Sequence, residues 1–528
     1  MQSFWRLTTS ILLLTVVSFA TDVVTYHNDI ARSGQNQQET TLNLSNVNSS
    51  SFGKVGSLPV DGIIDAEPLY LSNLAVPGNG THNVLYVVTE NNSVYAFDAN
   101  TGATLWHTRV IPVGENPSGD HGCGQISPQI GITSTPVIDR TAGPHGTIYV
   151  VAMSVNSSNK YFQRIHGLDA ATGKEQPGSP AVVQAKYPGS GDNSQGGYVI
   201  FDPGQYAERA GLLLLNHVVY TAWTSHCDIR PYTGWIIGYN QATGAQTSVL
   251  NLTPNGSEGA IWQAGAGLAS DGTNIYLLDA NGTFDTTLTA NGFPSKGDYG
   301  NAFVKISTTN KKLTVADYFN TFDTVEESNS DTDLGSGGTV VLPTMTDSQG
   351  NARYLAIGAG KDSNIYIVDR TNMGKFNPNN DNAIYQEIDG VLGGGVWSMP
   401  AYFNGSVYYG AEGNKLMQFS FTNARLSTTP VSRSSATFSY PGATPSISAN
   451  GMMNGIVWAI QHNGSGDVLH AYNATNLAKE LYNSNQAANG RDQLGTASHF
   501  GTPMIVNGKV FVGTQDNRVV VYGLLSGK

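Results

Sequence analysis

Charge is scarce in this chain of 528 residues: Asp, Glu, Lys and Arg make up 12% of it, against about 25% in an ordinary soluble domain. The balance is acidic, with a net charge of −12. That excludes nucleic acid and anionic membrane as main partners, because both reward a basic face. Cysteine is nearly absent. The two residues, Cys123 and Cys227, predict either one disulfide or two buried thiols, and in an exported chain the disulfide is the default. It would close a loop of about a hundred residues, worth about 4–5 kcal/mol in the chain-entropy account. No CxxCH occurs, so no c-type haem is attached to the chain. No apolar run after residue 20 is long enough to span a bilayer. Amphipathic helical periodicity is almost missing, with one helical turn expected around 476–482.

What is present instead is a leader and a repeat. Residues 1–20 carry one early charge, Arg6, then the apolar stretch ILLLTVVSFA (11–20) with Ser18 and Ala20 at a small-residue cleavage point. This predicts a secretory signal, a mature chain from Thr21, and a secreted or periplasmic location. No cysteine stands at the cleavage point to take a lipid. Gly (61 residues), Asn, Ser and Thr fill the space left by charge, as in proteins of many short strands and turns. Asn48, Asn156, Asn281 and Asn404 open Asn-x-Ser/Thr triplets, which in so Asn-rich a chain read first as turn chemistry.

The segment AFDANTGATLW (96–106) recurs in weaker form as GLDAATG (167–173), GYNQATG (238–244), IYIVDRTN (365–372) and LHAYNATN (469–476). Each copy follows a short apolar run such as VLYVV or TIYVV. A unit repeated at this spacing means an array of one supersecondary motif. Eight units are read, near 57–110, 131–187, 208–253, 259–320, 337–376, 396–431, 444–484 and 498–525. Short strands without helices, repeated this way, predict an all-β, eight-bladed β-propeller forming a single domain over 21–528. Its long insertions fall at 111–130, 174–208, 283–300 and 323–338. The last unit lacks a strand, and VVTY (23–26) is the spare strand expected to complete it and close the ring.

The repeat AxDxxTGxxxW, met in full at Ala96, Asp98, Thr101, Gly102 and Trp106, resembles the tryptophan-docking repeat of the pyrroloquinoline quinone (PQQ) dehydrogenase-like propellers. That resemblance implies eight blades, with the Trp of one packed on the Gly turn of the next. GAIWQAGAGLASDGTNIYLLDANGTF (259–284) resembles the stretch of the PQQ alcohol dehydrogenases that supplies the floor under the quinone and a calcium-ligating Asn. It implies Trp262 for the first role and Asn281 for the second. KGDYGNAFVKIS (296–307) is similar to the segment carrying the catalytic Asp, which implies Asp298. GAGKDSNIYIVDR (358–370) implies Lys361 as the cation that bonds the quinone oxygens. Asp228, in SHCDIRPYTGW (225–235), is the acid nearest to where the family has its calcium-ligating Glu. The chain departs from the pattern in having no adjacent Cys-Cys pair and in keeping the docking Trp in one unit only.

These residue types suit the chemistry. A flat Trp face supports a quinone ring, a hard cation with oxygen ligands polarises its carbonyl, and a carboxylate takes the alcohol proton. Each residue also has a plainer reading: core packing for Trp262, turn chemistry for Asn281 and Asp298, a solvated charge for Lys361, a surface acid for Asp228. DTDLGSGG (331–338), in which two acids adjoin a Gly-rich turn, reads as a surface or channel-mouth loop, with metal binding as the lesser alternative. DANGTFD (279–285) has only the start of a calcium loop. The leading expectation is an exported oxidoreductase using PQQ and Ca²⁺ on a small-molecule alcohol and passing electrons to a separate acceptor. The alternatives are a non-catalytic extracellular propeller that binds protein or polysaccharide, and a periplasmic assembly scaffold, which the absent lipid-anchor Cys disfavours.

Overall fold

The computed structural model describes residues 21–464 and 466–526; the expected signal segment 1–20 lies outside them. Among the described residues, eight sheets have four or more strands, each built mainly of antiparallel strands adjacent in chain order, with Gln35–Asn36 added in parallel to one and Phe52–Pro59 added to another. The first holds Leu69–Val76, Gly80–Val88, Ser93–Asp98 and Thr104–Arg109. The fourth holds Ala269–Ser270, Asn274–Leu278, Phe303–Ser307 and Thr314–Phe319. This is a β-propeller. The run Val84–Val88 is buried throughout because neighbouring sheets cover both faces of each blade, so its apolar residues need not alternate.

The repeated turn has a simple cause. Asp98 Oδ1 accepts from the backbone of Asn100 and Thr101 and from the Thr101 hydroxyl, at 2.9, 2.7 and 3.0 Å. Asp169 and Asn240 make the same turn. The side chain copies a backbone turn, and Gly follows where φ is positive. Trp106 of the first sheet lies on the Gly173 turn of the second: its Nε1 donates to Ala170 O at 3.0 Å. A Cβ on Gly173, at φ +69, would stand 2.5 Å from the indole. The blade-to-blade docking implied by the repeat is therefore present.

Two expectations about elements fail. Residues 476–482 form turns running into the strand Glu480–Asn483. The α-helix among the described residues is Thr324–Asn329, inside the 323–338 insertion, with Glu326 and Glu327 in its first turn, where carboxylates suit the helix dipole. Nor does 23–26 complete the last sheet. Phe52–Pro59 does so, pairing antiparallel with Arg518–Leu524 from Phe52↔Leu524 to Pro59↔Arg518.

The segment 23–36 instead crosses the middle of the molecule and bonds to the first strand, or its lead-in, of every sheet in turn. Val23 pairs with Tyr70, and the N–H groups of Ile138, Ser270, Val341, Tyr402 and Ile447 donate to Val24, Ile30, Ala31, Ser33 and Gly34. Arg32 Nη2 reaches Leu212 O at 3.1 Å and Asn36 Nδ2 reaches Ile505 O at 3.0 Å. Val23, His27 and Arg32 are 0% exposed. A strand at a blade's outer edge leaves one side wet, whereas this segment gives each of the eight sheets a hydrogen bond at or just before its first strand.

Candidate active site

One cavity of about 400 Å³ opens where the third to seventh sheets meet. Thr224 and Ser225 end and follow the strand Val218–Thr224, and Asp228 stands in the loop beyond. Trp262 precedes Ala269–Ser270, Ala280 and Asn281 follow Asn274–Leu278, and Lys361 follows Leu355–Gly358. Cys123 and Gln125 come from the 111–130 insertion, and Asp331, Asp333 and Ser336 from the 323–338 insertion. Trp397 and Tyr440 complete the lining. Four of the residues singled out in the sequence, Trp262, Asn281, Asp228 and Lys361, thus face the same space.

Lys361 is the centre of the polar end. Its Nζ pairs with Asp333 Oδ1 at 2.7 Å and with Asp331 Oδ1. Burial would lower the ammonium, but the Asp333 and Asp331 carboxylates outweigh it and hold Lys361 above the usual lysine range. Burial pushes Asp333 up, and Lys361 only partly offsets this. Asn281 donates from Nδ2 to Asp331 Oδ1 at 2.7 Å, while its Oδ1 is buried with no hydrogen-bond partner. Asp228 accepts from the Tyr232 hydroxyl at 2.6 Å. At the apolar end, half-buried Trp262 meets Phe500 edge-on at 5.2 Å, and Trp397 meets Tyr440 at 5.3 Å.

Asp298 does not line the cavity. Its Oδ1 accepts the Asn255 N–H at 2.8 Å, and burial raises it to about 6 against that bond. The segment around it turns back onto the preceding loop, with Asp285 N donating to Asp298 O. What the GDYGN segment supplies to the site is Asn301, whose Oδ1 accepts the Leu334 N–H at 2.7 Å and so fixes the turn bearing Asp333. In the sequence, Asp331 and Asp333 carry only a lesser metal-binding alternative for their loop and are not among the site residues read there. The signal was there, two acids beside a Gly turn, but an insertion has no periodicity to say which way it points.

Cys123 and Cys227 form a disulfide, with Cα atoms 5.4 Å apart and a sequence separation of 104. It borders the same cavity. His226, next to Cys227, and His121, two residues before Cys123, stack at 4.1 Å, and burial with the neighbouring His121 lowers His226 to about 3.

The donors suit a hard cation in type: an unpartnered amide oxygen on Asn281 and carboxylates from Asp228, Asp331 and Asp333 face one space. Among the described residues no three His, Cys, Asp or Glu side chains already stand together as a metal site; Lys361 occupies the carboxylates. The exposed side of Trp262 suits a flat ring.

No protein-family model matches the chain and no curated protein matches it in sequence. Solved structures match it in fold. The quinohemoprotein alcohol dehydrogenase of Comamonas testosteroni superposes with a TM-score of 0.59 at 15% identity, covering 96% of this chain and 81% of that one. A quinohemoprotein alcohol dehydrogenase from Pseudomonas putida HK5 gives 0.60 at 12%, with the same coverage. A europium-containing methanol dehydrogenase gives 0.59 at 12%, covering 96% and 98%. In line with the resemblance of its repeat, the chain has the β-propeller fold of the quinoprotein alcohol dehydrogenases.

Proposed function

We propose that residues 21–528 act outside the cytoplasm as one domain, behind a cleaved leader, and oxidise a small alcohol with PQQ and a calcium ion held in the 400 Å³ cavity. The observation that carries this reading is the meeting of Trp262, Asn281, Asp228 and Lys361 in one space, from separate stretches of the sequence. A bound ortho-quinone would supply the two-electron acceptor, its carbonyl polarised by the cation. Asn281, Asp228 and Asp331 are the oxygen donors for the cation, and Trp262 is the surface under the ring. The base is Asp333 rather than Asp298. Asp333 faces the cavity, and its burial strengthens it as a proton acceptor while Lys361 keeps a carboxylate form accessible. Lys361 also carries the hydrogen-bond donors that orient a carbonyl oxygen. A separate electron acceptor takes the reducing equivalents.

A second reading, a glycan-binding module, is favoured by the mouth of the cavity: the Trp397–Tyr440 pair and the Gln125 amide, which accepts from the Tyr440 hydroxyl at 2.9 Å, form a sugar-binding type of wall.

Titration of calcium-loaded protein with PQQ, followed by Trp fluorescence and heat, separates the two. Saturable quenching is expected, lost in Asn281→Ala and Trp262→Ala. Asp333→Asn should bind PQQ yet lose turnover by a factor of at least about 10², and Asp298→Asn should keep it. Absence of binding at micromolar PQQ with the fold intact sinks the oxidoreductase reading and directs the search to glycans.

A further inference from the structure

The loop carrying Asp228 has an unusual backbone. Cys227 and Asp228 are consecutive non-glycine residues with φ +48 and +56, and His121, across the disulfide, has φ +55. Such a conformation is disfavoured for L residues and persists only where the surroundings impose it. Packing does not impose it here, because Cys227, Asp228, Ile229 and Arg230 are all exposed. What holds the loop is a set of ties: its own turn bond from Ile229 N to His226 O at 3.1 Å, the Gln205 amide on Ile229 O, the Cys123–Cys227 bond, the His121–His226 stack, the paired Arg230–Asp192 bonds at 2.7 Å each, and the Tyr232 hydroxyl on Asp228. Of these, the Tyr232 bond acts on the Asp228 side chain, and the disulfide is the covalent tie, fixed at Cys227.

We propose that the Cys123–Cys227 disulfide is a positioning element for cation binding. By tying the 111–130 insertion to the 225–231 loop, it holds Cys227 and Asp228 in the left-handed conformation that presents the Asp228 carboxylate to the cavity. The cystine thus acts through Asp228, without touching the reacting atoms. The inference rests on the reading of Asp228 as a cation ligand given above. Cutting the tie lets 226–229 relax to ordinary backbone and withdraws one of the oxygen donors, leaving the sheets as they are.

The experiment compares oxidised protein, the same folded protein after treatment with dithiothreitol, and the Cys123→Ser/Cys227→Ser double variant. Two quantities are read: hydrogen exchange of the backbone over 224–232, and calcium affinity by calorimetry. Cutting the bond is expected to speed exchange in that stretch alone and to weaken calcium binding by about 10- to 100-fold, the range seen when a ligand's supporting contacts are lost. Asp228→Asn with the disulfide intact should lose the same affinity with exchange still slow, and reduction of that variant should cost no further affinity. Exchange and affinity unchanged on reduction overturn the proposal, as does a further loss of affinity when Asp228→Asn is reduced. If the oxidised protein binds no calcium, the reading of the cavity fails, and exchange over 224–232 alone decides whether the disulfide holds the loop.

Discussion

Lys361 carries the charge balance of the cavity. Its ammonium faces two carboxylates, one of them on Asp333, whose side chain is 2% exposed. Removing one member of a buried pair leaves an uncompensated charge, at a cost of about 3 kcal/mol or more. Lys361→Met is therefore expected to lower the urea unfolding free energy by about 3 kcal/mol, and adding Asp333→Asn should restore most of it because the two effects couple. A single variant as stable as the parent would show that Asp333 is held by something other than this lysine. At this scale the sequence was only partly readable. Trp262, Asn281 and Lys361 are picked out by the resemblance of their stretches to the PQQ alcohol dehydrogenases, and each lies close to the end or start of a recurring strand. Asp298 and Asp333 lie in irregular chain. There, direction depends on contacts such as Asn301 with Leu334, between residues 33 apart in sequence, which no local pattern encodes.

At the scale of the element, the docking Trp is not the sole tie between sheets, because second strands supply inter-sheet bonds of their own in three cases. Tyr86, Tyr149 and Tyr408 occupy like positions in LYVV, IYVV and VYYG. Their hydroxyls donate to Ala170 O, Gln241 O and Ala474 O in the turn of the following sheet, at 2.8, 2.9 and 2.6 Å. The tyrosines are visible in six of the eight apolar runs, Tyr86, Tyr149, Tyr220, Tyr276, Tyr366 and Tyr408, while the docking Trp is kept in one unit only. In the first unit a phenol from the second strand and an indole from the fourth share the Ala170 carbonyl, and at Tyr149 and Tyr408 the phenol makes the inter-sheet bond without a docking Trp. Tyr408→Phe keeps the ring and leaves Ala474 O buried without its donor. It should cost about 1–2 kcal/mol, read as a shift of the denaturation midpoint with an unchanged slope. No shift would mean that the inter-blade bond contributes nothing net.

At the scale of the whole molecule, the axis is where ordinary sequence reasoning ran out. The blades were legible because each repeats a local rule. The filling of the middle by 23–36 is a single event, made of bonds to eight distant strands, and VVTY looks like any spare strand. This plug brings buried charge with it. Glu67 accepts the His27 N–H at 2.7 Å, its other oxygen has no partner, and burial pushes it up to about 8 against that bond and Arg32. Glu208, also buried beside the axis, is likewise pushed to about 8. An unfolded Glu titrates near about 4.3. Between that value and 8 the folded protein keeps protons that the unfolded chain has released, so stability falls as pH rises through this window and levels off above it. Glu67→Gln removes one such proton while keeping an oxygen for the His27 N–H. Measured by urea unfolding at pH 5 and pH 8, the parent should be less stable at pH 8, and Glu67→Gln should lose less over the same interval, becoming the more stable of the two at pH 8. An equal loss in both would mean that the Glu67 carboxyl is already solvated by the plug, and that the axis is wetter than its closed ring of hydrogen bonds implies.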